Sequence, residues 1–215
     1  MTSILRLLSG GAAQALVTAL REPFAASHGI DVQGGFGAVG AMRDKLLAGE
    51  ACDVLVLTQA LIEQLTAQGH VVAGSAAPLG VVKTGVAVKA GEAAPDVASA
   101  AALKAALQRA PGIYFPDPEK ATAGIHFMKV LNTLGIAEEV KARIRTFANG
   151  AAAMHAMSQA GEAGVIGCTQ VTEILYAPGV HFEHRLDLGH LLARLFEHAS
   201  QLHAHACVAH NQAGG

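Results

Sequence analysis

An α/β fold in two halves is the architecture this sequence predicts, and three observations predict it. Short apolar runs alternate with amphipathic runs from end to end, a strand-like period giving way to a helix-like one each time. Two glycine-rich turns, Ser9-Gly10-Gly11-Ala12 and Gly34-Gly35-Phe36-Gly37-Ala38-Val39-Gly40, each lie between an apolar run and an amphipathic one. The same alternation then restarts in the second half of the chain.

The elements follow in order. Leu5-Arg6-Leu7-Leu8 reads as a strand. Residues 14–28 read as a helix with Leu16, Leu20 and Phe24 on one face and Gly29 as its stop. A second strand spans 30–36 and a second helix 41–48, ending at Gly49. Residues 53–57 are the continuous apolar run of a parallel strand buried on both faces. A helix over 59–68, closed by Gly69, completes a βαβαβα order that implies a parallel sheet with right-handed crossovers. Residues 75–78 read as a connector, 85–89 as a strand and 90–95 as a loop. Ser99 opens a helix to Arg109, and a strand follows at 112–115. Helices are expected over 125–134, 138–145 and 151–160, before a strand at 164–168.

Composition narrows the function classes. Of 215 residues, 52% are hydrophobic and 15% charged, which belongs to a compact globular chain able to bury a core. The net charge of −2 without a basic cluster argues against nucleic-acid binding, and 4% aromatics without Trp argue against a single-strand stacking platform. No apolar run approaches the ~18 residues of a membrane helix, so no membrane insertion is expected. The opening Met1-Thr2-Ser3 runs into an apolar strand without a basic n-region, a long h-region or a small-residue cleavage site. The expectation is therefore a cytoplasmic protein, and a periplasmic one if a leader has been trimmed away. Cys52, Cys168 and Cys207 are odd in number and widely spaced, and the first two read as small buried hydrophobes beside strands.

An ordered series of motifs carries a resemblance. Ser9-Gly10-Gly11 opens a helix, and Phe36-Gly37-Ala38-Val39-Gly40-Ala41 opens another. Gly49-Glu50-Ala51-Cys52-Asp53-Val54, Gly85-Val86-Ala87-Val88-Lys89-Ala90-Gly91, and Asp117-Pro118-Glu119 leading to Ala123-Gly124 follow in order, then Leu134-Gly135-Ile136 and Gly161-Glu162-Ala163-Gly164-Val165-Ile166-Gly167. Over residues 4–180 this series resembles the solute-binding proteins of the molybdate-binding type. The resemblance implies a type II periplasmic-binding-protein fold, two α/β lobes with a ligand cleft between them. Residues 1–80 would form one lobe, completed by about 180–215, and 81–179 the other. The same resemblance implies a small anionic ligand, no cofactor and, for an exported chain only, an ABC permease as partner.

Departures from that family matter as much. Molybdate binders present a serine at the position matched by Gly11, another where this chain has Val39, and a tyrosine that would fall at Gly167. Without those hydroxyls an organic carboxylate is expected in place of molybdate. Ser9-Gly10-Gly11 together with Gln170-Val171-Thr172-Glu173-Ile174-Leu175 resembles a divergent branch that includes aconitate isomerase, a cofactor-free enzyme that moves a double bond in a tricarboxylate.

Candidate ligand contacts come from helix starts, where unpaired N–H groups and the positive end of the dipole suit an anion. In the first lobe these are Ser9, Gly10, Gly11, Gly37, Ala38, Val39 and the hydroxyl of Thr58. A tight packing turn and a plain N-cap are the ordinary alternatives. In the second lobe Thr122, Ala123 and Gly124 open a helix, with Thr122 as its natural N-cap. Asn149 and Gly150 form another anion-friendly turn, and Thr169 and Gln170 follow the last strand. His126, in the first turn of the helix opened by Thr122, is the candidate base for an isomerase, against a plain surface histidine. Arg43, Lys45 and Lys83 are its candidate charge stabilisers. Eleven histidines include His190 and His198 and the run His203-x-His205-x-Cys207-x-x-His210, whose residue types suit zinc or copper. A solvated tail is the favoured reading of that run, so no metal site is expected.

Overall fold

The computed structural model describes residues 3–182 and 202–208. They form two compact units, one of residues 3–82 with 202–208 and one of residues 83–182. The first unit contains β1 (Ser3–Gly10), α1 (Gln14–His28), β2 (Ile30–Gly37), α2 (Val39–Leu47), β3 (Val54–Thr58), α3 (Gln59–Ala67) and β4 (Ala77–Val82). The late strand β10 (Leu202–Val208) joins them, giving a sheet ordered β2-β1-β3-β10-β4.

The parallel sheet expected from the βαβαβα order is present as β2-β1-β3. Its continuation is not parallel: β10 runs antiparallel to both β3 and β4. Two readings are corrected by this. The connector at 75–78 runs into a strand, and Leu202–Val208 is an inserted strand of the sheet and not a solvated tail. The physical reason is pairing, because β3 has β1 on one side only and its other row of N–H and C=O groups needs a partner. Leu8, Leu55, Leu57 and Cys207 pack on one face with Met42 of α2 and Ile62 and Leu65 of α3. Leu7 and Val56 pack on the other with Ala13, against the half-buried Val17 of α1.

The second unit runs β5 (Thr84–Lys89), α4 (Ala100–Arg109), β6 (Ile113–Pro116), α5 (Thr122–Thr133), α6 (Ala137–Val140), β7 (Ile144–Phe147), α7 (Gly150–Ser158), β8 (Ile166–Gln170), α8 (Val171–Tyr176) and β9 (Val180–Phe182). Its sheet is ordered β7-β6-β8-β5-β9, with β6 parallel to β7 and β8, and β5 antiparallel to its neighbours. The helix expected over 138–145 ends early: a 3-10 turn at Lys141–Arg143 follows α6 and the chain enters β7 at Ile144. The strand β6 is buried along its whole length and needs β7 to satisfy its open side.

Strand alternation sorts this core into two layers. Ile113, Phe115, Ile166 and Cys168 face α4 and α5 through Leu103, Leu107, Phe127 and Leu131. Tyr114 and Val165 face the other way, against Met154 and Met157 of α7. Lys89 ties the end of β5 to the loop before β8. Its ammonium donates to the carbonyls of Ala160 and Glu162 and pairs with Glu92 at 3.0 Å, while Glu92 accepts the Gly164 N–H.

Candidate functional site

In the first unit the parallel register places three strand ends on one edge. Ser9 lies opposite Phe36 and Val56, and Gly10 opposite Gly37. From that edge rise the 3-10 turn Gly11–Ala13 leading into α1, then α2 after Ala38, then α3 after Thr58. None of these three starts has a side-chain cap or an acidic residue in its first turn. Their first N–H groups therefore lack a side-chain acceptor, at the positive end of each helix. The glycine turns touch one another, since a Cβ on Gly10 would come 2.8 Å from Val39 Cγ1.

Hydroxyl groups contribute little here. Ser9 is fully buried and its Oγ donates to the Gly10 carbonyl at 2.9 Å. Thr58 is half-buried at the N-cap position of α3 without making a capping bond, and Val39 is apolar. Gly37 packs against the Met42 methyl group.

The second unit repeats the arrangement with β6, β7 and β8, whose ends lead to α5, α7 and α8. The N-cap of α5 is Ala121, so Thr122 is the first helical residue and not the cap expected of it, and α5 starts before residue 125. Gly124 is required there, because a Cβ would overlap the carbonyl oxygens of Pro116 and Asp117. Ala123 is buried beside it. The Asp117 carboxylate shapes the approach by accepting the N–H groups of Glu119 and Lys120 at 2.7 and 3.0 Å. His126, the fifth residue of α5, is half-buried. Burial lowers its pKa below the ordinary histidine value and the nearby Lys129 lowers it further, which favours the neutral imidazole.

The α7 start differs from the others. Asn149 caps it by accepting the Ala152 N–H at 2.9 Å. The buried Thr169 hydroxyl donates to Glu173 Oε2 at 2.6 Å. The N–H groups of Gln170 and Gly150 also hydrogen-bond this carboxyl. Glu173 is buried, and desolvation holds its pKa above the ordinary carboxylate value although those three donors pull it down. Sequence reasoning passed over Glu173, although the signal was present. Gln170 is the N-cap of α8 and Glu173 its third residue, the position from which an acidic side chain reaches back to the cap N–H.

Gly167 lies in the interior, facing α7, where a Cβ would come 2.6 Å from both Met154 Cε and Met157 Sδ. No tyrosine fits there. Arg43 pairs with Asp44 at 2.6 Å and Lys45 with Glu50 at 3.3 Å, while the Lys83 carbonyl accepts the Val171 N–H. His203, His205 and Cys207 alternate along β10, and the buried Cys207 thiol donates to the Leu55 carbonyl at 3.5 Å. His190, His198 and His210 lie outside the described residues. Among the described residues no three His, Cys, Asp or Glu side chains are grouped to hold a metal ion, and no helix is long and apolar enough to cross a membrane.

Two α/β units, each with helix starts gathered on the carboxyl edge of parallel strands, define a solute-binding protein of the type II periplasmic-binding class. The family model for bacterial extracellular solute-binding proteins matches residues 5–191, and the chain belongs to that family. Solved structures agree on the fold. The periplasmic molybdate-binding protein of Azotobacter vinelandii superposes with a TM-score of 0.74 at 19% identity, over 97% of this chain and 86% of that one. The sulfate-binding protein SubI of Mycobacterium tuberculosis gives 0.68 at 15% identity, over 98% of this chain and 77% of that one. A tungstate ABC transporter structure from Geobacter sulfurreducens gives 0.65 at 13% identity, over 97% and 85%. No curated protein matches the chain by sequence.

Proposed function

We propose that this solute-binding protein takes a small organic carboxylate, held by main-chain N–H groups at the helix starts on the carboxyl edges of its strands. One observation carries the reading: the starts after Gly10, Ala38, Thr58 and Ala121 have no side-chain cap, whereas α4 and α7 are capped by Ser99 and Asn149. Uncapped N–H groups in so regular a fold suit an external anion. The similar structures named for molybdate, tungstate and sulfate support an anion as the class of ligand. What favours a carboxylate over those oxyanions is the chemistry of the two glycine turns, with Ser9 committed to Gly10 and an apolar group at Val39. A thermal-shift and calorimetry panel of molybdate, tungstate, sulfate and di- and tricarboxylates tests this. Stabilisation by a carboxylate is expected; stabilisation by molybdate or tungstate alone overturns it. Work with an ABC permease belongs to this proposal only for an exported chain, which fractionation of cells producing the native protein decides.

A second reading rests on His126, whose burial favours the neutral ring that a proton-moving base needs. In that reading the chain shifts a double bond in an unsaturated di- or tricarboxylate without a cofactor. Incubation with aconitate in deuterated water is the direct test. Formation of the isomer with the shifted double bond, lost in His126→Ala with aconitate binding intact, supports it; no conversion by the native protein rules it out.

A further inference from the structure

Helix α7 starts at the edge where a ligand is proposed to bind, yet the N–H groups of Gly150 and Ala152 are already in use. Asn149 Oδ1 accepts the Ala152 N–H, and the Glu173 carboxyl receives the Gly150 N–H. The same carboxyl takes the Gln170 N–H and the Thr169 hydroxyl, at 2.6 Å for the latter. Packing enforces this arrangement, because a Cβ on Gly150 would overlap both Glu173 Oε2 and Thr169 Oγ1. The polar groups that an oxyanion would need at this corner thus converge on an anion-shaped group belonging to the protein itself.

We propose that Glu173 is a specificity-determining residue: its carboxyl stands where a ligand oxyanion would stand at the α7 start, and it excludes compact dianions in favour of carboxylates. This rests on the anion-binding reading above. A tetrahedral dianion concentrates two charges on one centre and calls for many donors at once, and here it meets a resident carboxyl with the donors taken. An organic carboxylate spreads one charge over two oxygens for each group and, in the second unit, is served by the uncapped start of α5.

The test uses a pair of probes with the same tetrahedral sulfur and different charge, sulfate and methanesulfonate. Calorimetry is run from about pH 6 to about pH 9, because burial raises the Glu173 carboxyl above the ordinary carboxylate range and the charge effect belongs to its ionised form. The native protein is expected to bind methanesulfonate at least as tightly as sulfate. In Glu173→Gln, checked for a native circular dichroism spectrum, the ratio of affinities is expected to move toward sulfate by about tenfold or more. A native preference for sulfate of about tenfold, or a folded variant whose ratio stays within about twofold of the native one, overturns the proposal. Should the variant not fold, the native ratio decides alone. If neither probe nor any anion of the wider panel binds, the functional reading falls and this inference with it. Anion binding with a sulfate preference removes only the role of Glu173.

Discussion

Position 124 shows how little freedom a single residue has where a helix start presses on a strand end. The carbonyl oxygens of Pro116 and Asp117 lie where a Cβ would go, and both are backbone atoms that cannot step aside. Gly124→Ala is therefore expected to lower stability by about 2 kcal/mol or more, read as a reduced urea midpoint with an unchanged slope. An unshifted midpoint would contradict the contact. Two residues further on, His126 gives a pH effect with a definite sign. Burial, then Lys129, lowers its pKa, so the folded chain takes up this proton less readily than the unfolded one. The stability involved is complete above the ordinary histidine value of about 6.5 and is lost as pH falls through the lower folded value. The melting temperature should decline between about pH 7 and pH 5, and His126→Gln should remove part of that decline. An identical pH profile in the variant would remove His126 from the account.

At the scale of elements, capped and uncapped helices call for opposite outcomes. Asn149 holds the Ala152 N–H, and Asn149→Ala is expected to cost about 1 kcal/mol of stability. Thr58 occupies the same cap position on α3 without the bond, so Thr58→Ala should change the melting temperature little and, where main-chain N–H groups hold the anion, leave anion binding intact. A large stability loss in Thr58→Ala would mean that its hydroxyl serves the fold, and a loss of anion binding would overturn the purely main-chain reading. The elements also mark where the sequence was legible. The helices α1 and α3 and the parallel strands β1, β2 and β3 stand out because apolar periodicity and glycine stops coincide there. Strand β4 was obscured by Pro78 and Gly80 and by an exposed edge position that gives no buried face to read. In His203, Ala204, His205, Ala206 and Cys207 the period of two of a strand is present, but the same residues share the types and close spacing of metal ligands, so the pattern has two readings in sequence. Of the candidate site, the helix starts were legible from their glycines. The commitment of the Thr169 and Ser9 hydroxyls was not, since it depends on Glu173 and on the turn at Gly10.

At the scale of the whole molecule, the three cysteines make the two units separately observable. Cys52 and Cys207 belong to the core of the first unit and Cys168 to that of the second, and all three are buried and free. Burial pushes the thiols of Cys52 and Cys207 up to about 11, and that of Cys168 higher still. At about pH 8 almost no thiolate exists to attack a disulfide reagent, and the reagent has no path to the sulfur until the unit opens. Native protein is thus expected to react with dithiodipyridine slowly, at a rate set by opening, and rapidly at all three positions in denaturant. Cys168→Ala leaves thiols in the first unit alone, and the double variant Cys52→Ala with Cys207→Ala leaves one in the second. If each unit opens on its own core, the two variants should label at different rates; a single cooperative opening would give equal ones. A carboxylate that binds the helix starts of a unit should slow labelling in that unit in proportion to its saturation. Fast stoichiometric labelling of any thiol in the native chain would contradict the buried cores. For Cys207 in particular it would contradict the insertion of β10 between β3 and β4.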